Sequence, residues 1–417
     1  MEGHMNIHIP YLKKQLLKRK DQKLYEIKPI GSAIRYKRKV MKMTLEEACE
    51  GICSISYLSK LENNQIEPGN RFIDQLIERF QLQESIDIDI KQYEQDKAMM
   101  AQALFTEEHF GADIVGRYEQ RDDYQAYLIQ MYDAVVLKNN TLAIDKYNAI
   151  RGYVVNLKDD ELALFFQLTS ILLYRKHKFS EAYDILQDIP DIDHHHELLK
   201  LTTTKLKLMN AFRMHKQSEI STNYQTYLNK LIERHDYLQV NQIKFAHMAY
   251  ETSYLCRKLV YKSVKKFSHL SEEEKDYALA KSYYHHHDYQ KAYELSVKHY
   301  TKNPKWLSLY LMTIDRMQRK EDIIHVLNIA NTLDNICFGS EILLIHLKYK
   351  YQASKEQLLD YLRKFILGFN HITDEYQLLD YLMIDAINLF SKHQFYKEAV
   401  MVTNKFLPRL KTLNQAN

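Results

Sequence analysis

The sequence is poor in the residues that punctuate chains with turns: 417 residues hold only 9 Gly and 6 Pro. A β-rich protein needs more of both for its tight turns, so sheets joined by hairpins are excluded as the main architecture. Cysteine is scarce as well. Cys49, Cys53, Cys256 and Cys337 cannot make a disulfide framework in a chain of this length. No run of 18 apolar residues occurs, and the basic N-terminus lacks the apolar stretch of a secretory signal. The expectation is a cytoplasmic protein that spans no membrane.

What is abundant points to helices. Leu, Ile, Lys, Glu, Gln and Ala dominate, and short connections suffice to join the segments they form. The chain is too long for one compact core, so several domains or an extended array are expected. The 32 Tyr fall largely at helical spacing, which suits rings packed between helices with hydroxyls at the wet edge. Charge is unevenly spread. Residues 1–42 hold 12 Lys or Arg against 3 acidic residues, a net of +9, which leaves −5 for the rest of a chain whose total is +4. A basic head on a mildly acidic body suits a polyanion partner at the head.

Four segments follow: a basic arm over 1–29, a cluster of short helices over 30–82, a linker helix over 83–105 and a repeat region over 106–417. In the cluster, Thr44-Leu45-Glu46-Glu47 has the form of a capping box, in which the Thr hydroxyl and the Glu carboxylate each satisfy a helix-start amide. Ser54 is a candidate N-cap for a helix over 55–62, and Asn63-Asn64 suits its end. Pro68-Gly69-Asn70 marks a turn. Phe72, Ile73, Leu76, Ile77 and Phe80 then form an apolar stripe.

The helix over 55–62 divides into two faces. Leu58 and Leu61, with Ile55 near them, need burial. Ser54, Ser56, Tyr57 and Lys60 form a short polar and basic face, the kind that reaches base edges in a major groove. Arg35, Lys37, Arg38 and Lys39 on the preceding helix are candidate phosphate contacts, and Thr44 joins them at a helix start.

The later region repeats a phrase three times, at 174–183, 284–293 and 390–399. Each copy has an aromatic ending a helix, a polar turn, another aromatic, and Ala182, Ala292 or Ala399 inside the next helix. The alanines are 110 and 107 residues apart, each close to three repeats of about 34–37 residues. About eight helical pairs would fill the region, and stacked pairs leave a concave groove. Asn148, Arg151, Asn210, Arg213, Asn241, Lys244, Asn328 and Asn331 are candidate groove contacts, because amides can pair with the backbone of an extended peptide.

Residues 30–82 resemble the lambda-repressor-type (Xre) helix-turn-helix domain, through Ile30-Gly31, Ile34-Arg35, Lys37-Arg38, Thr44-Leu45-Glu46-Glu47-Ala48, Ser56-Tyr57-Leu58-Ser59-Lys60-Leu61-Glu62 and Pro68. The turn Gly51-Ile52-Cys53-Ser54 is one residue shorter than the general pattern, and Leu45 replaces a commonly polar residue. This form is similar to that of the peptide-responsive regulators of Gram-positive bacteria (the Rgg, NprR, PlcR, PrgX and Rap group). In the later region, Tyr289, Ala292 and Pro304 resemble a tetratricopeptide repeat. The resemblance implies an all-α protein, with a DNA-binding head on a tetratricopeptide-like α-solenoid. It further implies a homodimer on a two-fold operator and a short signalling peptide as ligand. Two alternatives stand beside it: a repeat scaffold that binds a signalling protein such as a response regulator, and a repressor answering to another ligand.

The remaining constellations point away from catalysis. His194-His195-His196 and His285-His286-His287 are consecutive, so their side chains diverge rather than converge on a metal. Cys49 and Cys53 lack a second cysteine pair and read as small core residues. No Gly-rich phosphate loop, nucleophile elbow or HExxH segment occurs, so neither an enzyme nor a bound cofactor or metal is expected.

Overall fold

The computed structural model describes residues 7–20, 30–62, 66, 69–82, 90–109, 111–121, 123–155, 157–192, 196–252, 257–267, 270–333, 336–368 and 372–413. Asn63-Asn64, Pro68, His194-His195 and Cys256 lie outside these residues. The described chain is all-helical, with no strand. Packing divides it into two compact units, residues 1–172 with 184–206, and residues 173–183 with 207–417.

The first helices are α1 (Ile9–Lys20), α2 (Ile30–Val40), α3 (Leu45–Cys49), α4 (Ile55–Glu62), α5 (Asn70–Arg79), α6 (Ile90–Thr106) and the short α7 (Ala112–Gly116). Among the described residues, sixteen further α-helices then follow in chain order. They are α8 (Tyr124–Val136) and α9 (Asn140–Ile150), α10 (Asp159–Arg175) and α11 (Phe179–Gln187), and α12 (Glu197–Met214) and α13 (Gln217–Glu233). Next come α14 (Tyr237–Glu251) and α15 (Arg257–Lys266), α16 (Glu272–His285) and α17 (Tyr289–Ser296), and α18 (Pro304–Arg316) and α19 (Lys320–Ile329). The last are α20 (Phe338–Gln352) and α21 (Lys355–Tyr361), and α22 (Tyr376–Lys392) and α23 (Tyr396–Leu413).

One turn recurs through this array and explains the scarcity of glycine. Lys138, His177, His215, His235, His287, Gln318 and Gln394 each end a helix in the left-handed region, with φ between 55° and 67°. After each, the next residue donates its N–H back to the carbonyl five positions earlier, at 2.9–3.0 Å. This bond closes the helix end in a Schellman motif, a place where glycine is usual. A residue with a side chain carries about 1 kcal/mol of strain there, and polar side chains tolerate the conformation best. The repeated phrase is built on this turn. Ala182, Ala292 and Ala399 are all buried and each stands five residues beyond a left-handed residue. His287 is thus a helix terminator in the second histidine run, and its Nδ1 lies 2.8 Å from the Tyr289 hydroxyl.

In the first unit, Tyr93, Tyr124, Tyr127, Tyr132, Tyr147, Phe165 and Phe166 are among the largest fully buried side chains. Their hydroxyls do not all reach the wet edge expected from the sequence. Tyr93 donates to the Glu161 carboxylate at 3.0 Å inside the protein, whereas Tyr132 donates to the carbonyl of exposed Glu108 at 2.7 Å. A buried hydroxyl needs such a partner. The arm helix α1 is docked rather than free. Ile7, Ile9 and Leu12 are buried, Arg19 binds the Leu157 carbonyl at 2.9 Å and Asp159 at 2.5 Å, and Lys13 lies 3.8 Å from Asp188.

The second unit has its own apolar core, with Leu311, Ile314, Leu343, Leu347, Leu362, Leu379 and Phe390 at its centre. A polar network is sealed beside it. Lys350 bonds Asp315 at 2.8 Å and Asp385 at 2.7 Å, His346 bonds Asp385 at 2.7 Å, and Tyr351 and Tyr381 donate to Asp315.

Candidate nucleic-acid interface

The head of the first unit folds around α3 and α4. Thr44 starts α3 with both bonds of a capping box: its hydroxyl accepts from the Glu47 amide at 3.2 Å, and Glu47 accepts from the Thr44 amide at 2.7 Å. Those bonds hold the Glu47 carboxyl below its ordinary range. Arg79 closes the other end of α3, donating to the Glu50 and Ala48 carbonyls at 2.6 and 3.2 Å. Gly51 then takes φ 74°, which lets the chain turn within a few residues into α4. Ser54 caps α4 through its hydroxyl, which accepts from the Tyr57 amide at 3.1 Å.

One core seats these helices. Ile30, Ile34, Ala48, Cys49, Leu58, Leu61, Leu76, Phe80 and Leu82 are buried together, with Cys53, Ile73 and Ile77 against them. Both cysteines thus serve as packing. The division of α4 into two faces is largely as expected: Leu58 and Leu61 are buried, and Ser54, Ser56 and Lys60 are exposed. Ile55 differs. It is 47% exposed, because its place in the first turn carries it past the edge of the core.

Other expected interface residues are engaged inside the head. Tyr57 is half-buried; its hydroxyl accepts from the Gly69 amide at 2.9 Å and its ring meets Phe72 edge-on at 5.1 Å. Arg38 binds both oxygens of buried Glu62, at 2.6 and 2.7 Å, and the Met43 carbonyl at 2.9 Å. It holds α2 to α4 rather than pointing at a phosphate. The hydrogen bond to Glu62 keeps its charge secure. Lys37 is half-buried. Arg35 lies over the Tyr153 ring at 5.5 Å.

The structure brings together residues that the sequence assigned to two different functions. Arg35 and Lys39, read as phosphate contacts, line one cleft with Asn148 and Arg151, read as groove contacts. The other groove candidates have separate surroundings in the second unit. Asn210 is buried, Asn241 and Lys244 are half-buried on α14, and Asn328 is exposed on α19. The Asn331 side chain lies outside the described ones. Arg213 is paired with Glu375 at 3.2 Å and lies over the Phe179 ring at 5.4 Å.

That ion pair belongs to a cluster the sequence reading missed. Glu375 also meets His177 Nδ1 at 3.0 Å. Cys337, the N-cap of α20, lies 3.2 Å from the Ser340 hydroxyl. Burial pushes the Cys337 thiol up, but hydrogen bonds with His177, Ser340 and Ser308 bring it down to about 7. Burial likewise opposes Glu375 ionisation, and Arg213 and His177 overcome it, holding the carboxyl down to about 2. The participants are too far apart in sequence to form a motif.

No family model matches this chain, and no curated protein matches it.

Proposed function

We propose that this chain is a DNA-binding transcriptional regulator whose helix pairs sense a short peptide. One observation carries the DNA reading: α4 presents Ser54, Ser56 and Lys60 outward while Leu58 and Leu61 anchor it in a packed head. A short polar helix fixed in this way can enter a major groove, with hydroxyls and an ammonium at base edges. The peptide reading is supported by the resemblance in sequence and by the recurring helix-pair turn. The homodimer reading is supported by α23, which exposes Tyr396, Val400, Met401 and Leu407, a large apolar surface for one helix.

A second reading has an observation in its favour. Glu46, Glu47 and Glu50 stand exposed beside α4. Phosphates disfavour such carboxylates, whereas a basic protein surface would welcome them. The alternative is therefore a scaffold that docks a signalling protein on the head.

Selection of duplex fragments from a random pool by the full chain tests these readings. Recovery of a two-fold motif, with half-sites about one helical turn or a multiple apart, supports the regulator. Peptides from neighbouring genes should then change its affinity. Failure to retain any duplex at low salt favours the scaffold.

A further inference from the structure

The second unit gathers a thiol, an imidazole and a carboxylate from distant parts of the chain. Cys337 carries its thiol at the N-cap of α20 and is half-buried, so a small reagent has access to it. The sulfur lies 3.2 Å from the Ser340 hydroxyl and 3.6 Å from that of Ser308 on α18, and it shares a hydrogen bond with His177. His177 stands in the left-handed turn that ends α10, and its Nδ1 meets Glu375 Oε2 at 3.0 Å. Arg213 on α12 holds the other oxygen of that carboxylate at 3.2 Å. Gly339 eases the approach, since a Cβ there would stand 3.2 Å from His177 Cε1 and 3.5 Å from Glu375 Oε2. Nucleophile, base and orienting carboxylate thus stand in series, the arrangement that activates a thiol.

We propose that Cys337 is a modification site, oxidised by hydrogen peroxide to a sulfenic acid. The thiolate is the attacking form, and its surroundings favour it. His177 supplies a positive partner, the hydroxyls of Ser308 and Ser340 can donate to the sulfur, and the start of a 15-residue helix favours negative charge. Burial opposes ionisation of the thiol, yet these contacts bring it down to about 7. Burial opposes the His177 charge too, but Cys337 and Glu375 outweigh it and make the imidazole more basic than usual. The step balances within the cluster. The thiolate attacks one peroxide oxygen, forming S–O as O–O breaks, and the departing hydroxide takes the His177 proton to leave as water. Sulfur gives up two electrons, the peroxide accepts them, and His177 recovers a proton from solvent. A cavity of about 30 Å³ opens between Tyr277, Lys281, Ser308, Glu375 and Gln377, against the same serine and carboxylate. That is room for a molecule or two of water size, which suits hydrogen peroxide and is too small for an acyl substrate. Cavity size therefore selects oxidation over acyl transfer. The inference does not depend on DNA or peptide binding.

In the test, the reduced full chain is treated with hydrogen peroxide, sulfenic acid is trapped with dimedone, and each cysteine is read by mass spectrometry. Cys337 should be trapped faster than Cys49 and Cys53 by about tenfold or more, because oxidation follows thiolate character and access. Alkylation of Cys337 by iodoacetamide should reach half its maximal rate near pH 7, against about 8.5 for an ordinary thiol. Arg213 and Tyr277 also act on the thiol but titrate well above this range. Lys281, brought down to about 8 by burial, lines the cavity with Glu375, so the profile is repeated in Lys281→Met to separate the two titrations. His177→Asn, which tolerates a left-handed turn, should move the midpoint up and slow oxidation by about tenfold or more. The unsubstituted chain decides the matter if that variant does not fold. The proposal is overturned if Cys337 is trapped no faster than Cys49 and Cys53, or if its alkylation titrates near 8.5. It is equally overturned if His177→Asn leaves midpoint or oxidation rate unchanged, or if Cys337 alkylates fast but yields no sulfenic acid.

Discussion

On α2 and α4, side by side in one head, polar residues meet opposite fates. Two cations of α2 turn inward, Arg38 onto buried Glu62 and Arg35 over Tyr153, while Lys39 stays exposed and lines a cleft with Arg151. The polar residues of α4 turn outward, with Ser54, Ser56 and Lys60 exposed. The α2 segment is the more highly charged, yet α4 is the better candidate interface. A run of cations reports charge and not its destination, and a buried carboxylate in the same core claims the nearest arginine first. Deleting one member of such a pair leaves the other charged and dry.

Arg38→Ala is therefore the most damaging change to the head. Glu62, 3% exposed, would lose both guanidinium bonds. The expected loss is about 3–5 kcal/mol, read as hydrogen exchange opening across residues 30–82. Adding Glu62→Gln should return part of it, because a neutral amide is cheaper to bury. Arg38→Ala that keeps full protection but abolishes DNA retention would reverse the contrast between the helices.

The second unit uses an arginine in the same way, and pH reads it. Arg213 and His177 hold Glu375 down to about 2 from an ordinary 4.5. A carboxyl depressed on folding stabilises above its unfolded value, and the contribution is lost as pH falls through its folded one. Stability of the full chain should therefore fall between about pH 4.5 and 2, by about 3 kcal/mol at most from this group. Glu375→Gln should flatten that limb in acid denaturation followed by circular dichroism. An unchanged acid limb would show that Arg213 does not spend its charge there.

The sequence made local features legible and left long-range ones hidden. The capping box at Thr44, the cap at Ser54 and the buried pair Leu58 and Leu61 are decided within a few residues, and each stands where its spacing put it. The pair from Arg38 to Glu62 spans 24 positions and the one from His177 to Glu375 spans 198. No periodicity relates residues so far apart. Helix termination was legible only in part. Aromatics and alanines marked the repeated phrase, but His and Gln in a left-handed turn look like any polar connection until φ is known.

Smaller effects separate the residues of α4 from one another. Lys60→Ala removes an exposed side chain, so thermal stability should hold while specific DNA affinity falls by about 1–3 kcal/mol, measured by fluorescence anisotropy. Non-specific and specific duplex losing equally would place Lys60 on phosphates instead of bases.

Tyr57→Phe should have the mildest effect, and it tests where α4 stops being surface. The Tyr57 hydroxyl accepts from the Gly69 amide at 2.9 Å, across the turn that leads into α5, and its ring packs on Phe72. Phenylalanine keeps the ring contact and loses the acceptor. The Gly69 amide is at an exposed turn, where water can replace the lost oxygen, so the loss should be about 1 kcal/mol or less. It should appear as a lower denaturation midpoint with DNA affinity almost unchanged. Were Tyr57 a base reader, the order would invert: stability would hold and affinity would fall. The ratio of those two losses in Tyr57→Phe, set beside the same ratio in Lys60→Ala, locates the edge of the interface along α4.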